Sequence, residues 1–449
     1  MRNSHSLFRR VRLPLALALA GSIVVVATSS CSKSDGGNEG GTGVGASSSE
    51  GGGPGGNTGG TGGKSSSGGS GDSPGAAGGT AGASAGGIGG SAGGAAGAMA
   101  AMGGSSGMGG APVPVPSDYY VYASGGSEIE GFKFNPETGA LTSIGKTNAG
   151  NNATYLAFNP KGTNLYASNE VSGNENVRAF SITKGTGMLT AQSNQASGGA
   201  NAVHVSVHPS GKWLFVSNYS GANVRAFPIN ETTGDIGPGK AVFATANESH
   251  QIMPDTTGKF AFVPCRGDNN IHQLKFDEAA GTFSDNTPDV LGSDDPRHMV
   301  FHPSGKFAYL VNENPANMLA MAYDAAMGKL SVIDKTPLAP GENWGSHAVI
   351  TPDGKFVFAG GRRTGIILSY AVDQVTGKLM EVTKISTNIR VPRDFAISPS
   401  GQHLLIANSS NNNLTVLKIA ANGMLTTVGT PTPTVGNPSG IVVVAVPKP

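Results

Sequence analysis

The chain has 449 residues and a formal net charge of +1, with 70 glycines and only two cysteines. A charge so close to zero gives no electrostatic reason to expect a nucleic acid or an acidic macromolecule as a partner. One of the two cysteines, Cys31, lies in the N-terminal leader, which excludes a disulfide-stapled scaffold. The length allows more than one domain, and a sharp change in composition divides the chain into parts.

The first 31 residues have the organisation of an export signal. Three arginines within residues 9–12 precede an apolar segment over residues 13–27, and three small residues precede Cys31. A basic start, a short apolar stretch and a small-residue cleavage site are typical of a signal peptide rather than a membrane span. The cysteine after the small residues resembles a bacterial lipobox, which implies that Cys31 is lipidated and becomes the new N-terminus.

This leader predicts a protein of the cell envelope, extracytoplasmic and either periplasm-facing or on the outer membrane. Its contact with the membrane is expected to be the lipid anchor alone, and a plain secreted form is the alternative. Residues 32–116 consist mainly of Gly, Ser, Ala and Thr and contain few large apolar side chains. Such a segment buries too little surface to offset its ordering entropy, so we expect a disordered linker.

From residue 117 onward the chain repeats. A turn glycine follows a short apolar run at positions 162, 211, 258, 305, 354 and 401, in steps of 47 or 49 residues. A second glycine opens the last run of each unit, at positions 139, 187, 234, 281, 328, 377 and 423. Short alternating runs between turn residues predict antiparallel strands, and four of them in a repeat of this length are typical of a β-propeller blade. We therefore predict an all-β domain over residues 117–449, a seven-bladed β-propeller.

The first repeat is incomplete, which suggests how the ring closes. Its first run, residues 119–123, matches the second strand of the other units, so the innermost strand is missing. An apolar run over residues 440–446 follows the seventh unit and has no partner of its own. We predict that this C-terminal strand completes the first blade and removes the open edge of the ring.

Polar residues that change from blade to blade mark a candidate site. Asparagine recurs seven residues after the turn glycine, so we interpret it as structural. The start of the first strand and the end of the second strand lie at the same end of a blade, because the two strands are antiparallel. Histidine, arginine and carboxylate side chains are concentrated at these ends, which predicts a polar channel mouth, with a merely solvated rim as the alternative. The residues concerned are Tyr155, His204, His298, His347 and Asp394 in one phase, His250, Arg297 and Arg393 one residue earlier, and Glu170, Tyr219, Arg266, Glu313 and Arg362 at the end of the second strand.

The run over residues 296–313, PRHMVFHPSGKFAYLVNE, closely resembles the signature of the bacterial lactonase family. This family comprises seven-bladed propellers, among them the propeller-type 6-phosphogluconolactonases and the carboxymuconate cyclases. The resemblance extends over residues 117–449 and includes the segments around Ser217 and Pro392. One difference is local, because the family's His-Xaa-His is here Glu248-Ser249-His250.

Lactone opening needs a base that activates water and a positive group that holds the developing oxyanion. We assign His250 as the base or acid and Arg297 as the holder of the oxyanion or of a substrate carboxylate. Glu313 is expected to orient a histidine or to act as an alternative base, and Arg362 to clamp the far end of the substrate. These four also resemble the His/Arg/Glu/Arg set proposed for the carboxymuconate cyclases. If His250 is the base, activity is expected to rise with pH across the imidazole pKa near 6.5.

Four further residues are assigned to substrate binding, and they are His204, His298, His347 and Arg393. We expect no cofactor and no metal, because the rim offers few carboxylates and no His-Xaa-His or Cys-Xaa-Xaa-Cys spacing. The expected partner of a monomeric protein is a small-molecule lactone or anionic ligand, with related cyclase chemistry as a neighbour. A non-catalytic propeller that binds a ligand or a protein at the cell envelope remains the alternative, since fold alone does not decide function.

Replacement of Cys31 by serine tests the anchor. Serine offers no thiol for lipidation, so we expect the C31S variant to move from the membrane fraction to the soluble fraction on cell fractionation. Membrane association that is unchanged in this variant would instead identify the apolar segment as an uncleaved anchor.

Overall fold

The computed structural model describes residues 117–173 and 175–449. These residues form seven antiparallel sheets arranged as the blades of a β-propeller, so the predicted all-β fold is confirmed. The signal peptide predicted for residues 1–31, its Cys31 and the linker predicted for residues 32–116 lie outside the described residues. Among the described residues, no helix has the length and apolar character needed to cross a membrane.

The strands of each blade are given from the channel outward. Blade 1 contains Gly440–Pro447 (β29), Ser117–Gly125 (β1), Glu128–Phe134 (β2) and Leu141–Asn148 (β3). Blade 2 contains Ala153–Phe158 (β4), Asn164–Asn169 (β5), Asn176–Ile182 (β6) and Leu189–Ala196 (β7). Blade 3 contains Ala202–Val207 (β8), Trp213–Asn218 (β9), Asn223–Pro228 (β10) and Phe243–Ala244 (β11). Blade 4 contains Met253–Pro254 (β12), Phe260–Cys265 (β13), Asn270–Asp277 (β14) and Thr282–Asp285 (β15), and Val290–Leu291 (β16) also pairs with β14.

The remaining three blades have four strands each. Blade 5 contains Pro296–Phe301 (β17), Phe307–Asn312 (β18), Asn317–Asp324 (β19) and Lys329–Pro337 (β20). Blade 6 contains Gly345–Ile350 (β21), Phe356–Gly361 (β22), Ile366–Val372 (β23) and Leu379–Ile385 (β24). Blade 7 contains Pro392–Ile397 (β25), His403–Asn408 (β26), Asn413–Ile419 (β27) and Leu425–Pro433 (β28), with a 3₁₀ turn at Ser409–Asn411.

The hydrophobic core is divided among the spaces between blades. Each of seven apolar clusters joins side chains from two neighbouring blades, including the pair formed by blades 7 and 1. The second strand of a blade is buried along its whole length, as in β5, β9 and β18, because both of its faces pack against a neighbour. A single blade therefore has no core of its own, and the stability of each depends on the complete ring.

The C-terminal strand closes the ring in the predicted way. β29 pairs with β1 in an antiparallel register from Ser124–Gly440 to Ser117–Pro447. Val442 and Val444 pack in the cluster between blades 1 and 2, and Ile441 and Val443 in the cluster between blades 7 and 1.

The two repeating glycines receive side chains from the preceding blade. The turn glycine Gly258 has φ +74°, and a Cβ there would lie 2.1 Å from Nε2 of His208. The same His208 Nε2 hydrogen-bonds the Gly258 carbonyl at 2.9 Å, and His302 does the same with Gly354 at 3.0 Å. His208 and His302 therefore have a structural role, because each holds the turn of the next blade.

The second glycine accommodates the residue that opens the second strand of the preceding blade. A Cβ on Gly281 would lie 2.1 Å from the Trp213 ring, and a Cβ on Gly328 would lie 2.1 Å from the Phe260 ring. The same relation holds at the closing joint, where Gly139 of blade 1 lies against His403 of blade 7. This contact explains why glycine recurs at every one of these seven positions.

Blade 3 differs from the predicted repeat. Its outer strand does not follow Gly234 directly, because an isolated bridge between Ile229 and Ile236 takes that place and β11 is only two residues long. The intervening segment contains Pro238, which cannot donate a ladder hydrogen bond. Instead, the Arg225 guanidinium donates to the carbonyls of Lys240 (2.6 Å) and Gly239 (3.0 Å), which holds the segment against β10.

Deletion of residues 438–449 tests the closing strand. Each fully buried Val or Ile side chain contributes about 1.5–3 kcal/mol, so the loss of five of them rivals a net stability of about 5–15 kcal/mol. We expect the truncated domain to lose its cooperative transition in calorimetry. Deletion of the exposed terminal pair 448–449 is the control, and equal melting of all three proteins would contradict the role of β29.

Candidate active site

A backbone irregularity at the start of the inner strands positions the site. In β17 the register shifts between Pro296, which lies opposite Asn312, and His298, which lies opposite Val311. Arg297 is thus the extra residue of a β-bulge, a feature that re-aims side chains and is frequent beside functional sites. The inner strand of blade 7 has the same shift at Arg393.

Glu313 is the centre of an ion-pair network. Its carboxylate lies 3.0 Å from Arg362 Nη2 and 3.5 Å from Arg297 Nε, and Arg266 Nε approaches it to 3.9 Å. The Trp344 indole N–H also donates to Glu313 Oε1 at 3.0 Å. The three guanidinium groups lower the pKa of the Glu313 carboxyl despite its burial. Glu313 is therefore ionised at neutral pH.

These contacts correct one expected role. Glu313 was predicted to orient a histidine or to serve as an alternative base, but its partners among the described residues are arginines and an indole. Arg297, at the start of β17, and Arg362, directly after β22, lie at the level of Glu313 and contact its carboxylate. A carboxylate with a lowered pKa is also a poor base, and this one pairs with two guanidinium groups.

Both arginines are buried and fixed by further contacts. Arg297 is 3% exposed and donates from Nη1 to the Ser346 carbonyl. Arg362 donates to the Gly345 carbonyl at 3.1 Å and stacks over the Trp344 ring at 4.4 Å. Burial lowers the pKa of Arg297 to about 9 and that of Arg362 to about 10, and each remains protonated at neutral pH.

His250 lies beside this network, on the blade 4 side. The residue is half-buried, and its Nδ1 is enclosed without a hydrogen-bond partner. Its ring centroid is 5.0 Å from that of His298 and 5.5 Å from that of Tyr219. Burial, followed by the charges of Arg297 and Arg362, holds the pKa of His250 well below its usual value. The expectation that His250 titrates near 6.5 was therefore wrong, because these effects keep its imidazole neutral to a lower pH.

The predicted binding histidines form a deeper layer. His204, His298 and His347 are at most 2% exposed, so the alternative of a solvated rim does not apply to them. Tyr155 stacks on His204 with ring centroids 4.1 Å apart and contacts His298 at 5.6 Å. Gln251, which the sequence analysis did not assign, lies in the same phase and accepts a hydrogen bond from the Met299 amide at 2.7 Å.

Arg393 lies at the channel mouth on blade 7, where its charge acts on Arg297 and Arg362 without contacting Glu313. It is partly exposed, and its guanidinium lies 3.5 Å from the Glu170 carboxylate. This ion pair joins blade 7 to blade 2 across the closing blade. The structure therefore assembles Arg297, Glu313 and Arg362 by direct contact, and it leaves Arg393 outside that network.

Three contributors received no role in the sequence analysis: Arg266 and Tyr219, which it placed at the channel mouth, and Trp344, which it did not name. Arg266 donates to the Tyr219 hydroxyl at 2.7 Å and approaches Glu248 Oε2 at 3.5 Å. Arg266 and Tyr219 each follow the second strand of a blade, as Glu313 does, so their position in the repeat could have predicted a place in the site. Glu248, which replaces the family's first histidine, thus binds an arginine instead. Trp344 lies in the connection between β20 and β21 and has no phase in the repeat.

No cluster of three or more His, Cys, Asp or Glu residues with metal-binding geometry occurs within residues 117–173 and 175–449. Chemically, the site offers a neutral imidazole, fixed guanidinium groups and an ionised carboxylate. The imidazole can take a proton from a water molecule that attacks a carbonyl carbon. The fixed guanidinium groups can stabilise the negative charge that then forms on the carbonyl oxygen.

Known proteins resemble this chain over the whole propeller. A family model described as "Lactonase, 7-bladed beta-propeller" matches residues 119–444. The 6-phosphogluconolactonase of Bacillus subtilis is 34% identical over 99 residues, which are 22% of this chain and 28% of that protein. The sequence match thus spans well under two thirds of that relative.

Solved structures extend the comparison. A Bacteroides fragilis protein, provisionally named a 6-phosphogluconolactonase, is 25% identical with a TM-score of 0.68, covering 74% of this chain and 99% of that chain. The periplasmic gluconolactonase of Pseudomonas aeruginosa is 24% identical with a TM-score of 0.66, also covering 74% of this chain and 99% of that chain. At that identity the second likeness concerns the fold alone.

Replacement of Glu313 by glutamine tests the network. Glutamine keeps the shape but leaves two buried guanidinium groups without a counter-charge, a change that costs about 3–5 kcal/mol. The loss is measured by denaturant unfolding at pH 7. Because the pKa of Glu313 is lowered, its contribution is present at neutral pH and disappears as the pH falls through that pKa. The difference between wild type and variant should therefore shrink in acid.

The matched control is E128Q, which removes the exposed pair between Glu128 and Lys146. An exposed pair contributes about 0–1 kcal/mol. A Glu313 variant as stable as this control would show that the buried network does not hold the site together.

Proposed function

The chain belongs to the family of seven-bladed β-propeller lactonases, and from this we propose that it hydrolyses a small lactone at the site around Glu313. The observation that carries the proposal is a neutral imidazole beside two guanidinium groups that one buried carboxylate fixes. His250 takes a proton from water, and Arg297 holds the oxyanion that forms on the lactone carbonyl. Arg362 binds the other end of the substrate.

The charges around the site favour an uncharged or singly charged lactone. Arg297 and Arg362 share Glu313, Arg393 lies near Glu170, and Arg266 lies within 3.7 Å of Asp295 as well as near Glu248. Each arginine thus has a carboxylate nearby, whereas a phosphate group needs guanidinium donors for its own charge-assisted, often bidentate hydrogen bonds. Sugar-derived and carboxylated lactones are therefore the substrates that we propose.

Hydrolysis is favoured over the cyclase-type reaction by the named relatives, while the direction of ring opening depends on the substrate. Export supports the same preference for unphosphorylated lactones. We propose that the protein acts as a lipid-anchored, extracytoplasmic monomer, and the leader before Cys31 is what supports this location.

A panel of lactones assayed by acid release tests the function. It includes glucono-δ-lactone, a carboxylated muconolactone and 6-phosphogluconolactone, each with wild type, R297A and H250A. Loss of one oxyanion donor costs about 100- to 1,000-fold in kcat, and loss of a general base costs about 100- to 10,000-fold.

The control is H272A, because His272 bonds Asp285 on the outer part of blade 4, away from the channel. This variant should match wild type. If no lactone is opened, or if R297A and H250A are as active as H272A, the proposed function is wrong. A phosphorylated lactone turned over best would refute only the proposed preference.

A further inference from the structure

Three buried polar residues of successive blades lie in a line below the site. The Nδ1 atoms of His298 and His347 are hydrogen-bonded at 2.7 Å. His347 Nε2 lies 3.4 Å from Asp394 Oδ1, and these two buried atoms have no hydrogen-bond partner, so each is free to bond the other after a small shift. All three are at most 2% exposed, and each is the residue that stands seven positions before the turn glycine of its blade. The repeat itself therefore brings them to one level of the channel.

The candidate base, His250, lies directly beside the His298 end of this line. The rings of His250 and His298 have centroids 5.0 Å apart, while the bonded pair His298 and His347 have theirs at 4.9 Å. Nδ1 of His250 and Nε2 of His298 are both buried and lack a hydrogen-bond partner. A relay to His250 requires its ring to rotate until these two nitrogens form a hydrogen bond.

An ionised Asp394 determines which nitrogen of every ring carries the proton. A carboxylate only accepts, so His347 carries its proton on Nε2 and accepts at Nδ1. His298 then donates from Nδ1 and accepts at Nε2, and His250 donates from its own Nδ1. The remaining nitrogen of His250, Nε2, is left with a free lone pair.

We propose that Asp394, His347 and His298 are a buried proton relay that orients His250 and removes the proton it receives. The proposal rests on the proposed lactonase activity. Asp394, His347 and His298 are positioning residues, since only His250 faces the substrate. Nothing else about the propeller requires imidazoles at these positions, because blade 1 has Gly440 in the same phase.

The proton transfers balance. As the water oxygen bonds the lactone carbonyl carbon, its proton passes to His250 Nε2, and the Nδ1 proton of His250 passes to His298 Nε2. The Nδ1 proton of His298 moves to Nδ1 of His347, and the Nε2 proton of His347 moves to the Asp394 carboxylate. All three rings stay neutral. When the ring C–O bond breaks, the transfers reverse and the leaving alkoxide receives the proton, which gives the hydroxy acid.

The relay avoids a positive charge on His250 beside the two arginines. A histidine that keeps the proton becomes an imidazolium next to Arg297 and Arg362, whose charges already disfavour it. The relay instead neutralises a buried carboxylate. Burial raises the pKa of Asp394 to about 7, so this carboxyl accepts a proton readily at neutral pH.

Several groups surround Asp394 and influence its titration. His347 faces it from blade 6, the Ile441 amide donates to its Oδ2 at 2.9 Å from β29, and the Phe395 amide bonds it from its own strand. The charges of Arg297 and Arg393 lower its pKa, while burial has the larger, opposite effect. Tyr155, also buried in this layer, stays protonated because burial raises its pKa.

The D394N variant of the full-length protein tests the relay. Asparagine can still accept the Ile441 amide with Oδ1, but its NH₂ donates to His347 and reverses every tautomer, so His250 presents N–H instead of a lone pair. Loss of the correct tautomer behind a catalytic histidine lowers kcat by up to about 10,000-fold. We expect kcat to fall at least about 100-fold with KM unchanged, and the rise of wild-type kcat through pH 7 to disappear.

The control is D285N, which alters another Asp–His pair, with His272, away from the channel. It should keep wild-type kcat and pH profile. H347Q interrupts the relay without touching β29, so it decides the question if D394N fails to fold. Activity like that of wild type in D394N, or in H347Q when D394N does not fold, would overturn the relay.

A second readout does not depend on turnover. In ¹⁵N-labelled protein at pH 8, Nε2 of His298 should have the chemical shift of an unprotonated imidazole nitrogen in wild type and of a protonated one in D394N. Identical shifts in the two proteins would overturn the relay. If wild type opens no lactone but the shifts change as expected, the proposed function fails while the buried relay stands.

Discussion

Closure of the ring is the constraint on which the rest of the structure depends. Each blade is a twisted sheet of four or five strands whose two faces are apolar, and it can bury them only against its two neighbours. The chain runs from each blade to the next, and the ladder between β29 and β1 inside blade 1 joins its two ends and closes the ring. The ordered channel mouth exists only when that joint is made.

One carboxylate, that of Asp394, contacts both the closing strand and the candidate site. Asp394 accepts the backbone amide of Ile441 with one oxygen and faces His347 with the other. The same buried side chain thus fixes the closing strand and ends the line of imidazoles. Because the amide contact favours the charged form while burial opposes it, the protonation of this group reports on both the integrity of the ring and the state of the site.

The fold could be predicted from the sequence because its signals are local and repeated. The two glycine positions recur for steric reasons that the contacts of Gly258 and Gly281 illustrate, and the missing strand of the first unit indicated the role of residues 440–446. The phase of the repeat also identified Arg297, Glu313 and Arg362 as neighbours.

Phase gives the level of a side chain along the channel but not its partners. Glu313 was expected beside a histidine, yet arginines of its own and the next blade are closer. Trp344 was missed since a connection between blades has no phase, and the pKa of His250 was misjudged since burial and neighbouring charges are tertiary properties. A short stretch of sequence reveals neither the position of a residue in a connection between blades nor the burial and charges that set a pKa.

The position seven residues before the turn glycine has a consequence for how such proteins change over time. Tyr155, His204, Gln251, His298, His347 and Asp394 occupy equivalent places around the axis, and Gly440 takes the seventh. Main-chain hydrogen bonds, which ignore side-chain identity, set the strand geometry there. The side chain at each of these positions can therefore be substituted without disturbing the strand. A propeller can acquire a new reaction through one such substitution while the equivalent positions of the other blades stay unchanged.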